Sequence, residues 1–220
     1  ALKAPIASPV FTGNVGIGTA PSSPLHVKRA AGGLSLKVDS GGEYTSLQLS
    51  NSTNPAHYME STGSNIKLWN NSKTAMNIDN AGIVTKPYQP AFDAYSNQNA
   101  YSSGTSVTST NINTIRFNTG NHYSTSDRRF VAPVAGVYRF NYRTIVNGSI
   151  SNAHIRMYKN GSIISGSDSH YSASSGTSWS GWTYSILVQL SVNDYVQVGH
   201  TSSVSIHGDN YQSFNGYLIG

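Results

Sequence analysis

Nine Asp and Glu side chains are all that this chain of 220 residues offers for acid–base work. Asp39, Glu43, Glu60, Asp79, Asp93, Asp127, Asp168, Asp194 and Asp209 are scattered, and most stand beside Gly, Asn or Ser, the usual company of turn-forming residues. Sugar hydrolysis needs two carboxyls roughly 5 to 9.5 Å apart across a cleft, and no spacing here nominates a pair. Asp168-Ser169-His170 has the residue types of a nucleophilic triad, but a triad is a geometry, and adjacency in a Ser/Gly-rich run does not make one. The seven histidines show neither HxH nor HExxH spacing. Without cysteine, a disulfide framework and a Cys-based zinc site are excluded. The chain is therefore expected not to be an enzyme.

Recognition chemistry is better represented. The run HGDNYQ (207–212) sets imidazole, carboxylate, amides and a phenol side by side. Aromatic faces stack on the C–H surfaces of sugars, while amides and carboxylates bond their hydroxyls. Trp179 stands in a second polar run, SGSDSHYSASSGTSWSG (165–181). Trp182, by contrast, shares parity with Tyr184, Ile186, Val188, Leu190 and Val192, so it is expected in a core.

Charged residues make up 10% of the chain, against roughly a quarter in an average globular protein. Ser, Thr and Asn take their place; they favour turns and disfavour helices. The apolar share of 37% leaves a lone chain little to bury, which favours short strands sharing a core between copies. The net charge is +5, but Lys and Arg form no cluster, so nucleic acid is not an expected partner. No apolar run approaches the ~20 residues that would cross a bilayer as a helix, and membrane insertion is not expected. The chain starts at Ala1 with neither Met nor signal peptide, and is expected to be the C-terminal part of a longer protein.

Residues 1–28 are short apolar patches broken by Pro5, Pro9, Gly13, Gly16, Gly18, Pro21 and Pro24, too interrupted for a helix. Over 29–88, alternation predicts short strands at 34–38, 45–49, 65–69 and 75–79, separated by turns at 40–42, 52–55, 62–64 and 80–82, in stacked hairpins or meanders. Beyond Pro87, longer strands are predicted at 112–118, 137–146, 153–159, 182–192, 195–200 and 214–219. In 137–146, Tyr138, Phe140, Tyr142, Thr144 and Val146 share one face while Arg139, Asn141 and Arg143 share the other, the pattern of a strand dry on one side. The class is all-β, with a two-sheet sandwich at the C-terminal end.

The run NTGNHYSTSDRRFVAPVAGVYRFNY (118–142) resembles the core motif of C1q-like domains. Further matches follow in order: PAFDAY (90–95) before it, then KNG (159–161), WTYSILVQL (182–190), NDYVQV (193–198) and SFNGYLIG (213–220). Asn193 departs from the family's usual Gly. The segments LKAPIASPVFTGNVGIGTAPSSPLHV (2–27) and MNIDNAGIVTKPYQPAF (76–92) resemble the neck segments of bacteriophage tail fibres. Together the resemblances imply a trimeric C1q-like jelly-roll head at 89–220, preceded by a β-rich stalk of short strands at 29–88 and a fibre neck at 1–28.

In such a head, counting strand directions from 90–95 makes 137–146 run up, 153–159 down, 182–192 up and 195–200 down. The loops 147–152, 193–194 and 207–212 are then expected to share the distal tip, offering Asn147, Asn152, His207, Asp209, Asn210 and Tyr211 to a receptor. By the same count the run holding Trp179 starts near the base and lies on the flank, where Trp179 is a further receptor-contact candidate. Some C1q-like heads hold calcium through apical acidic residues, and Asp209 with Asn210 offers oxygen ligands of that kind; no other cofactor is expected. The reading is a homotrimeric tail-fibre tip on a virion that adheres to a bacterial surface, with polysaccharide as the expected receptor and the remaining fibre and tail baseplate as partners on the N-terminal side. The alternatives are a structural trimerisation or decoration module and a component of a polysaccharide depolymerase.

Overall fold

The computed structural model describes residues 12–17, 20, 22, 25–27, 44–49, 57–70, 73–98, 101–102, 111–147, 150–173, 179–200 and 205–220. Every regular element among them is a β-strand. The chain divides into two compact units, Ala1–Thr85 and Lys86–Gly220.

In the first unit, β1 (Val15–Ile17) pairs in parallel with β2 (Leu25–Val27). A separate antiparallel meander follows: β3 (Tyr44–Leu49), β4 (His57–Thr62), β5 (Asn65–Asn70), β6 (Lys73–Ile78) and β7 (Val84–Thr85), in chain order. Its turns use the residues that turns need. Gly63 takes a φ of +55° between β4 and β5, and the Asp79 carboxylate accepts the Ala81 and Ile83 N–H groups, both at 2.9 Å. Cross-strand register aligns Leu47, Met59, Leu68 and Met76 in one row, and Ile66, Ile78 and Val84 in a second row on the same face. That face is open: Leu47, Met59, Ile66 and Val84 are each about half exposed. The opposite face carries Glu60, Lys67 and Trp69, with the Lys67 ammonium 5.7 Å from the Trp69 ring centre. The strands expected at 45–49, 65–69 and 75–79 are present as β3, β5 and β6; that expected at 34–38 lies outside the described residues. Strand β4 is one that alternation alone does not predict. HYMEST lacks a clean apolar period of its own, and pairing with both neighbours makes it a strand.

The second unit is a jelly-roll sandwich. Its strands are β8 (Ala91–Tyr95), β9 (Tyr101–Ser102), β10 (Thr114–Thr119), β11 (Tyr123–Ser124), β12 (Arg129–Val131), β13 (Gly136–Asn147), β14 (Ile150–Lys159), β15 (Ser162–Ile163), β16 (Ser169–Ala173), β17 (Ser180–Leu190), β18 (Tyr195–His200), β19 (Ser205–His207) and β20 (Ser213–Leu218). One sheet runs β10-β8-β20-β13, with β17 on the other edge of β13, β19 against its far end and β9 beside β19. The other runs β11-β12-β18-β14, and β14 also carries β15 and β16.

Between the sheets lies an aromatic core. Phe92 stacks on Tyr123 at 4.8 Å and on Phe130 at 5.1 Å, and meets Phe214 edge-on at 5.0 Å. As its alternation predicts, β13 buries Tyr138, Phe140, Tyr142, Thr144 and Val146, and turns Arg139 and Arg143 outward. On that outward side the Arg139 Nε–H donates to Ser185 Oγ at 3.0 Å and the Asn141 amide to Asn215 Oδ1 at 2.8 Å. Trp182 packs against the core as expected, but Val192 lies beyond the end of β17 and is 53% exposed.

Strand β16 changes the direction count. It pairs antiparallel to β14 inside the run read as one long loop. One extra reversal makes β17 run opposite to β13, as the register Gly136↔Leu190 and Val146↔Ser180 shows. The turn 191–194 therefore lies not at the distal tip but at the end of the head where the chain enters and leaves. There the Asn193 N–H donates to the Ala132 carbonyl, the Leu218 N–H to Pro90 and the Val137 N–H to Gly220. Asn193 sits at φ +69°, a left-handed conformation that Asn tolerates. The expected loop 147–152 also shrinks: Asn147 ends β13, Asn152 belongs to β14, and only 148–149 separate the two strands. Ile150 and Ile155 extend the β-forming character of β14 past the polar residues that suggested a loop.

Two predictions follow from this packing. Gly216 faces Phe140, and a Cβ there would stand 2.4 Å from Phe140 Cδ1 and 2.9 Å from the Arg139 carbonyl oxygen. Gly216→Ala is expected to cost on the order of 1–3 kcal/mol through forced repacking, read as a lower melting temperature; an unchanged one contradicts the packing. Asp194 accepts from Asn160 at 2.7 Å, from Lys159 at 2.9 Å and from the Ser191 N–H at 2.7 Å. These bonds, that from Asn160 foremost, hold its carboxyl down at about 2. Since the unfolded value is about 3.9, the unfolded chain binds this proton first as pH falls, so the stabilisation is complete above pH ~4 and fades toward pH 2. Asp194→Asn is expected to lower the melting temperature at pH 7 and to flatten its fall between pH 4 and 2.

Candidate functional site

At the far end of β13 the sheet stops in a group of rings. Trp179 stands just before β17, where Ser180 pairs with Val146; His207 closes β19, where Ile206 pairs with the same Val146. Tyr211 follows in the loop to β20. The His207 ring lies 4.6 Å from Trp179 at 32° and 4.6 Å from Tyr211 at 36°, so the imidazole is the middle member of an aromatic row. With Ile145 on the outward face of β13, these rings line a cleft of about 350 Å³. Trp179 is 50% and Tyr211 39% exposed, so both have ring surface to offer a ligand.

The loop below them is held by backbone bonds. The Asp209 N–H donates to Gln98 and the Asn210 N–H to Ser96, both at 2.7 Å, and the Tyr211 N–H donates to Gly208 at 3.0 Å. Asp209 at φ +46° and Asn210 at +67° both occupy the left-handed region, which their short side chains tolerate. That kink leaves both side chains exposed beside Tyr211.

The candidates named from sequence are thus partly gathered. His207, Asp209, Asn210 and Tyr211 lie together, and Trp179, expected on the flank, joins them, because the reversal at β16 brings the start of β17 to this end. The backbones of Asn147 and Asn152 are at the same end through the β13–β14 connection; their side chains lie outside what the structure describes. Sequence reasoning missed Ile145. Its parity with Arg139, Asn141 and Arg143 was a signal that it faced outward. Among the described residues no three His, Cys, Asp or Glu side chains cluster so as to hold a metal ion. The cleft offers stacking surface flanked by the Asp209 carboxylate and the Asn210 amide.

Residues 91–219 match the family model described as the C1q domain. Among curated proteins, none matches. The solved globular domain of zebrafish complement 1qA protein is 17% identical, with a TM-score of 0.45 over 60% of this chain and 98% of that one. The solved Eiger TNF from S. frugiperda is 10% identical, with a TM-score of 0.45 over 60% of this chain and 94% of that one.

Proposed function

The chain belongs to the C1q domain family, and on that premise we propose that it is the tip of a homotrimeric bacteriophage tail fibre that adheres to bacterial surface carbohydrate. The observation that carries this reading is the Trp179–His207–Tyr211 row, open to solvent at the end of the head opposite Pro90 and Gly220. A sugar ring laid on Trp179 or Tyr211 buries its C–H face, while Asp209 and Asn210 accept from and donate to its hydroxyls. Asn147 and Asn152, in the neighbouring connection, remain further candidates for receptor contact. Low charge and abundant hydroxyl and amide groups suit a neutral ligand. Three modest sites on one rigid trimer give avidity without any one of them binding tightly.

Two open apolar surfaces support self-association. In the head, Phe117, Leu187 and Tyr217 are exposed on the outward side of the β10-β8-β20-β13-β17 sheet. In the first unit, the rows of Leu47, Met59 and Leu68 and of Ile66 and Val84 leave a single-layer sheet with its apolar face uncovered, which a lone chain has little reason to keep in water. The neck-like segments at 2–27 and 76–92 support a fibre on a virion, with the rest of that fibre and the tail baseplate on the N-terminal side.

The test is binding of the labelled chain to cells of its host before and after the surface polysaccharide is stripped, with sedimentation run on each sample. Binding is expected to vanish on stripping. Trp179→Ala and Tyr211→Ala are each expected to weaken it about tenfold, the equivalent of 1.4 kcal/mol, in variants that still sediment as three chains. Binding that survives stripping overturns the carbohydrate assignment in favour of a protein receptor. Loss of polymer viscosity on incubation would make the chain a depolymerase component, and trimers that bind no cell would leave it a structural module.

A further inference from the structure

A second cluster lies on the other sheet, away from the aromatic row. His154 on β14 and His170 on β16 are direct cross-strand partners, with ring centres 4.9 Å apart and planes inclined at 52°. We propose that this pair is a bidentate site for a divalent transition ion of the Zn²⁺, Ni²⁺ or Cu²⁺ type, its remaining coordination positions taken by water.

Geometry is the first support. Metal–nitrogen bonds of about 2.0–2.1 Å in tetrahedral array place the centres of two coordinated imidazoles roughly 5 Å apart, which is the spacing seen here. Antiparallel register holds that spacing by backbone hydrogen bonds, so little ordering remains for the ion to impose. Residues on either side of His154 and His170 in the ladder, Ile155 opposite Ser169 and Ala153 opposite Tyr171, keep the two strands in step.

The second support is the group behind His154. Its Nδ1 lies 2.7 Å from Asp168 Oδ1, and the other carboxylate oxygen receives the Arg156 guanidinium at 2.7 Å. The short contact with a guanidinium, which can only donate, marks Asp168 as the acceptor of both partners. A carboxylate can only accept, which puts the ring proton on Nδ1 and leaves the Nε2 lone pair for a ligand bond. A carboxylate that receives the outer N–H of a coordinating imidazole is the standard means of fixing its tautomer and raising its basicity. Arg156 keeps Asp168 in this orienting role rather than in the coordination sphere.

Access and selectivity follow. His170 is exposed and the His154 side chain is 25% exposed, so an ion enters from solvent without opening the core. Imidazole nitrogen favours borderline ions over Ca²⁺ and Mg²⁺, which prefer oxygen. Among the described residues β16 pairs only with β14, so coordination would tie this strand to its sheet.

Titration calorimetry of the full chain with ZnCl₂, NiCl₂ and CaCl₂ tests the site. One Zn²⁺ or Ni²⁺ per chain is expected and no saturable Ca²⁺ binding. His154→Ala and His170→Ala should each lower affinity tenfold or more, Asp168→Asn should lower it several-fold with both ligands kept, and His122→Ala should leave it unchanged. Circular dichroism confirms that each variant is folded. Absence of saturable Zn²⁺ or Ni²⁺ binding below millimolar concentration overturns the proposal. So does binding retained by the His154→Ala/His170→Ala double variant, which would place the ion elsewhere, and so does a loss confined to one of the two single variants, which would rule out a bidentate site.

Discussion

Strand β13 is hydrogen-bonded along both edges, to β17 and to β20 and β19, while its inner face lies against an aromatic core that leaves Tyr138, Phe140, Tyr142 and Val146 with almost no exposure. At twelve residues it is the longest strand described. Since it runs the height of the head, each loop belongs to one end or the other by the number of reversals that separate it from β13. Burial fixes the strand's face and pairing fixes its register, because a slip of one residue would send Phe140 into water and Arg139 into the core. The aromatic row at one end, and Pro90 and Gly220 at the other, are consequences of that single constraint.

Much of this is legible in the sequence because the period-2 signal is strong where one face is fully buried. The alternation over 137–146 and 182–190, and the turn residues around Asn193, point to the right strands. The signal fails where neither face is purely apolar. Strand β16, Ser169–Ala173, reads SHYSA, a sequence a loop would also carry, and its strand character comes from pairing with β14. Without that one element, the direction assigned to β17 is inverted and Trp179 moves to the flank. The residues of the candidate site are thus identifiable by type, while their grouping depends on a strand whose own sequence is neutral. The His154–His170 pair is hidden for the same reason, since cross-strand neighbours sixteen residues apart show no spacing motif.

The proposed role at the end of a fibre calls for a cleft remote from the points where the head begins and ends. Pro90, where the head begins, and Gly220, where it ends, bond to the strand ends remote from Trp179 and Tyr211, so the rings stand at the opposite end of the head from both. The loop carrying Asp209 and Asn210 is tied by backbone bonds to Ser96 and Gln98, which lets a ligand bind without first ordering it. A carbohydrate fits the balance of the site better than a charged polymer does, because the exposed groups around the rings are chiefly neutral. The uncovered apolar rows in both units are the surfaces that the proposed association of copies would cover.

The central claim, that ligand is held at the aromatic end of the head, is tested most directly by hydrogen–deuterium exchange of the chain with and without purified host surface polysaccharide. The account predicts added protection confined to residues 179–182 and 205–212, with the ladder at 129–131 and 195–200 unchanged. Protection centred on 191–194 and 159–161, or on the outward face of β8, β20 and β13 alone, would contradict it.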